Sequence, residues 1–160
     1  MSITLNTKNI QAAMDQLRKE LAQYRGGKHV TVGIHEGSEQ PDSGDLTMAQ
    51  LGATLHFGTD NGHIPPRPWL DTGVESGTQD IIDTIRTAAG KGLPLDMVLE
   101  QVGIVAAGAV QEYMTDLRTP ENAPSTIAKK GSDNPLIDTG AMRQSVTYAV
   151  TDTKPTEGIG

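Results

Sequence analysis

Three prolines fall within four positions of the stretch HIPPRPWL, at 65, 66 and 68. A proline ring locks φ and removes an N–H, so neither a helix interior nor a central strand can run through this point. The segment is expected to be a stiff, extended connector, entered through the turn signal Asn61-Gly62. It displays Arg67 and the chain's only Trp, Trp69. Whatever lies on either side must form separate elements.

Apolar spacing supplies those elements. Ile3 and Leu5 alternate with polar residues and predict a short opening strand. Ile10, Met14, Leu17, Leu21 and Tyr24 recur at steps of four and three, an amphipathic helix capped by Asn6 or Thr7 and stopped by Gly26-Gly27. Val30, Val32 and Ile34 alternate with polar neighbours, which predicts a strand covered on one face. Residues 36–45 form a polar loop, after which Asp45 is expected to cap a short helix carrying Met48, Leu51 and Leu55 and closed near Gly58. Ile81, Ile82, Ile85, Ala88 and Ala89 predict a third helix. A fourth starts after Pro94 with the stripe Val98, Val102, Val105, Ala109 and Tyr113. Its middle, GIVAAGAV, is small enough for a neighbouring backbone to approach closely. A second long polar loop spans 119–135, and Val146, Tyr148 and Val150 mark a closing strand.

The expected class is α+β: about four helices on one face of a small, mostly antiparallel sheet of about three or more strands, with two long polar loops. One domain is expected over 1–152, and a flexible tail over 153–160. The 160 residues include one Phe, one Trp and three Tyr, so the core must come from aliphatic side chains and Met. The absence of Cys removes disulfides, thiolate metal sites and cysteine nucleophiles. A net charge of −7 opposes tight binding to nucleic-acid phosphates, whereas a surface that lets DNA slide past can be acidic. No apolar run approaches the roughly 18 residues of a membrane span. His29, His35, His56 and His63 lack the spacing of a helical zinc motif and are expected to be solvated or capping. No cofactor or metal site is expected.

Asp-Thr-Gly occurs twice, at 71–73 and 138–140. Aspartic proteases present their two catalytic carboxylates in such triplets, close enough to share a proton. Here each triplet leads into a helical pattern instead. Thr72 and Glu75 have capping-box spacing, and Asp138-Thr139-Gly140 precedes AMRQ, one helical turn. Both triplets are therefore expected as helix starts, and a protease using Asp71 and Asp138 is the remoter alternative to a protein that is not an enzyme.

Two segments carry a resemblance. ATLHFGTDNGHIPPRPWLDTG resembles the Phe-Gly-Thr … Ile-Pro-x-Arg-Pro-Phe/Trp-Leu signature of tailed-bacteriophage neck and tail-completion proteins. KGSDNPLIDTGAMRQSVTY is similar to that family's C-terminal signature, Pro-Leu-x-Asp-Thr-Gly followed by a small residue, Met or Leu, and Arg. The resemblance implies a structural virion protein that forms a ring with itself, commonly six-fold, at the head–tail junction. Its other partners would be connector, tail-tube or terminator proteins, and DNA would pass through the lumen without sequence-specific binding. A tail terminator capping the tube is the alternative within the same class. Pro65, Pro66, Arg67, Pro68 and Trp69 are expected to position the third helix or border the ring contact, and Asp138, Thr139, Gly140 and Arg143 to anchor the last strand. Two packings of the first group stay open: Arg67 and Trp69 displayed at an interface, or Trp69 plugged into the core with Arg67 paired to an acid.

Overall fold

A computed structural model describes residues 7–35, 46–131, 133–136 and 140–154. The expected opening strand, the loop at 36–45, Asp138, Thr139 and most of the tail lie outside them. The element order is α1 (Thr7–Ala22), β1 (His29–Ile34), α2 (Met48–Phe57), α3 (Trp69–Ser76), α4 (Thr78–Gly90), α5 (Leu95–Asp116), α6 (Pro124–Lys130), α7 (Ala141–Gln144) and β2 (Val146–Thr151). The class is α+β. Among the described residues there are seven helices rather than four, and the sheet has two strands.

The two strands come from opposite ends of the chain and pair antiparallel, His29 opposite Thr151 and Ile34 opposite Val146. One face of this ribbon lies on α5, as the alternation of Val146 and Tyr148 predicted. A two-stranded ribbon is marginal alone, and packing against a helix supplies what it lacks. Gln111 adds a tie by donating its side-chain amide to the Val146 carbonyl at 3.0 Å.

Helix α5 is the spine, touched by α3, α4, α7 and both strands. Its deepest residues are Val98, Gly103, Ala106, Ala107, Val110 and Met114. The expected stripe shares only Val98 with this set, because α5 is pressed from more than one side and its small residues face inward. Close approach there is real: a Cβ on Gly103 would lie 2.2 Å from the Tyr148 ring, and one on Gly73 of α3 would lie 2.9 Å from the Val110 Cα. The main core joins Met48, Trp69, Val110, Met114, Leu136, Met142 and Val146.

Helix α2 is opened by Thr47, which accepts from the Gln50 N–H at 3.2 Å while the Gln50 side chain accepts from the Thr47 N–H at 2.9 Å, a full capping box. The expected cap was Asp45. Helix α3 was not expected as a separate element. Pro68 ends the connector and its carbonyl accepts the Thr72 N–H at 3.1 Å, so the helix begins at Trp69. Asp71 thus stands in the first turn of α3 rather than at the start of the helix that carries Ile81, Ile82 and Ile85, and the Thr72–Glu75 capping box does not form. The second triplet's Gly140 does stand at a helix start, as the N-cap of α7 with φ 81°.

Candidate functional site

The two segments singled out in the sequence meet around the C-terminal half of α5, and the first of them is built as a closed turn. Gly58 ends α2 at φ 75°, where a Cβ would lie 2.6 Å from the Ile64 carbonyl, so only glycine fits. The Thr59 N–H donates to the Ile64 carbonyl at 3.0 Å, the Ile64 N–H donates back to Thr59 Oγ1 at 3.0 Å, and Asn61 Oδ1 accepts from Thr59 Oγ1 and the His63 N–H. The chain then returns along α2, with the Arg67 N–H reaching the Leu55 carbonyl at 3.0 Å.

This return decides between the two packings left open. Trp69 is 3% exposed, and its indole N–H donates to the Gly52 carbonyl of α2 at 3.0 Å. Gly52 is where the ring can fit, since a Cβ there would stand 3.2 Å from Trp69. Arg67 is also 3% exposed. Its partner is not an acid. Nε donates to the Pro120 carbonyl at 2.9 Å, and Nη2 reaches the Glu121 carbonyl at 3.1 Å and Asn122 Oδ1 at 3.4 Å. Burial lowers the guanidinium pKa from its ordinary value, although an arginine stays charged at neutral pH. A rigid fork suits an array of carbonyl acceptors that an ammonium could not span.

Asn122 passes the connection on, donating to the Asn134 carbonyl at 3.3 Å. Asn134, buried, donates to the Met114 and Thr115 carbonyls at 3.1 and 2.8 Å, and its Oδ1 accepts the Leu136 N–H at 2.9 Å. It thereby caps carbonyls at the end of α5, which any helix leaves without intrahelical partners. Arg143 of α7 completes the set by donating to Thr115 Oγ1 at 3.2 Å. The clasp therefore runs from Arg67 through residues 120–122 to Asn134, α5 and Arg143.

Of the expected residues, Arg67, Trp69 and Arg143 join this clasp or the core beside it. Pro65 is half-buried, Pro66 and Pro68 are exposed, and Gly140 caps α7. Asn122, Asn134 and Gly52 were missed. Asn134 had a signal, since it immediately precedes the Pro-Leu of the second signature.

His56 corrects another expectation. It is 4% exposed rather than solvated, edge-on to Phe57 and Trp69, with Nε2 3.5 Å from an Asp71 oxygen and Nδ1 buried without a hydrogen-bond partner. Asp71, by contrast, is 59% exposed. Among the described residues no three His, Asp or Glu side chains group as a metal site, and no helix is long and apolar enough to cross a membrane. Comparison of the chain with protein-family models, curated proteins and solved structures gives no match.

Proposed function

We propose that the chain is a structural protein of a tailed-phage virion, assembled as a ring at the head–tail junction. The observation that carries this reading is the clasp. The two segments resembling the family's signatures, more than fifty residues apart in sequence, serve one purpose: Arg67 and Asn134 hold the same loop against the end of α5. A signature whose polar residues are spent on internal carbonyls belongs to a scaffold, and a scaffold's function lies in the faces it presents.

Charge supports the same reading. A ring through which DNA passes must not retain it, and a chain of net charge −7 repels phosphate. In this reading subunits repeat around an axis, commonly six-fold, and the outer neighbours are connector and tail-tube or terminator proteins. The tail-terminator role differs only in what the ring caps.

The test is electron microscopy of lysates from a phage or prophage in which this reading frame is inactivated. Filled heads lying apart from tails assign the neck role, and tails of abnormal length assign the terminator role. Normal particles discard both. Unprocessed immature heads would return the protease to consideration.

A further inference from the structure

The middle of helix α1 is open to solvent. Every described side chain from Met14 to Glu20 is exposed, including Met14 at 44% and Leu17 at 48%. Among the described residues the mooring contacts lie just beyond its C-terminal end: the Tyr24 hydroxyl donates to the Leu93 carbonyl at 2.8 Å, and Lys28 pairs with Asp96 and Asp152. A helix of 16 residues, about 24 Å long, draws most of its stability from covering an apolar face. Met14 and Leu17 are one helical turn apart on such a face, and Arg18, four residues after Met14, flanks it. Among the described residues Arg18 pairs with Asp15, in a bridge whose two side chains are 65% and 54% exposed, so Arg18 can exchange partners at little cost.

A surface of the opposite character lies on α4 and α5. Asp80, Asp83, Thr84 and Thr87 of α4 line an open groove with Gln101 of α5. Met97 and Ile104, one turn to either side of Gln101, are 50% and 58% exposed. The groove thus has an acidic wall on α4, and exposed apolar side chains lie on α5 beyond Gln101, outside the groove's own lining. The charge asymmetry extends beyond these side chains. Residues 1–28 hold five Lys and Arg against two Asp and Glu, whereas residues 71–116 hold two against eight.

We propose that α1 of one subunit lies in the α4–α5 groove of a second copy of this chain, with Met14 and Leu17 on Met97 and Ile104 and Arg18 beside Asp80 and Asp83. This is helix-in-groove recognition steered by opposite charges. The occupant is a second copy because the cation-rich segment 1–28, with Arg18 exposed on α1, and the acidic groove belong to the same chain, while Arg18 pairs with Asp15 and not with Asp80 or Asp83. Two different patches meet, so the contact is heterologous and propagates around a ring. In that last respect the inference rests on the ring reading above.

The experiment is sedimentation velocity and native mass spectrometry of the full chain over a concentration series, for wild type and four variants: Leu17→Asp, Arg18→Glu, Asp83→Arg and the double variant Arg18→Glu/Asp83→Arg. Wild type is expected to assemble beyond a dimer. Leu17→Asp should be monomeric, and each single charge variant should assemble at least about tenfold more weakly. The double variant, with its charges exchanged, should regain assembly. Circular dichroism keeps misfolding apart from lost contact, since all these positions are exposed. A wild type that stays monomeric, or assembly indifferent to Leu17→Asp and to the charge exchange, overturns the inference. If rings form but ignore these variants, the ring reading survives and the α1 contact fails. If the variants respond as expected but lysates of the inactivated phage hold normal particles, the contact stands and the head–tail role fails.

Discussion

The guanidinium of Arg67 reaches across 53 residues of sequence to the carbonyl of Pro120, at 2.9 Å, inside a protein where both segments were expected to be loops. The contact converts two connectors into one rigid layer over the end of α5.

Removing that fork should act on folding. Arg67→Ala leaves the Pro120 and Glu121 carbonyls without their charged donor, at a cost of about 3 kcal/mol. Arg67→Lys should recover less than half of this, because an ammonium cannot reproduce the fork. Urea unfolding followed by the fluorescence of Trp69 reads both. Wild-type stability in Arg67→Ala would show that the side chain is not held as described.

Asn134 gives a sharper ordering. Its amide donates to the Met114 and Thr115 carbonyls, and its oxygen accepts the Leu136 N–H. Asn134→Ala loses these bonds and should cost about 2 kcal/mol. Asn134→Asp keeps the acceptor but places a carboxylate against two helix C-terminal carbonyls, where negative charge is disfavoured. It should be the worse of the two near neutral pH and should improve as acid protonates it. Thermal unfolding at pH 7 and pH 4 separates them.

Small residues on α5 invite a packing test. In Gly103→Ala the new methyl would meet the Tyr148 ring well inside contact distance, and the variant should lose about 1–3 kcal/mol through overpacking. Pairing it with Tyr148→Ala should make the two effects less than additive, because the clash partner is gone. Additive losses by chemical denaturation would place the strain elsewhere.

Tyr148 also carries a titration signature. Its hydroxyl donates to Glu100 at 2.7 Å, and this bond, with a smaller effect of burial and of the Glu100 charge, raises the phenol pKa. A raised folded value means that the stabilisation is complete below the unfolded pKa, about 10, and is lost as pH rises through the folded value. In Glu100→Ala the tyrosinate absorbance of Tyr148 should appear at lower pH. An unchanged titration would mean that the bond is not populated in solution.

Most of the regular elements were legible because their signals are local. The stripe of α1, the alternation of β1 and β2 and the breakers around α2, α4 and α5 depend on spacing within one element. Helix α3 was not legible. Asp71-Thr72-Gly73 reads as the start of the helix that carries Ile81, Ile82 and Ile85, and nothing local shows that a separate helix packs Gly73 against Val110, which presses close enough to exclude any side chain. Helix α6 was hidden by the polar composition of 119–135. The candidate site divides the same way. Trp69 as a core plug could be named in advance, whereas carbonyls are present at every residue, so no sequence could say that Arg67 would choose those of Pro120 and Glu121.

The Asn122–Asn134 hydrogen bond ties the neck of an excursion that contains α6. That bond joins the entrance and the exit of the span, so a change of length between them is closed at the base by the same tie. Doubling such a loop costs only about 0.6 kcal/mol in closure entropy. Residues 128–131, whose described side chains are exposed, are therefore a place where this chain can be lengthened or given a foreign peptide while the clasp, α5 and the sheet keep their arrangement.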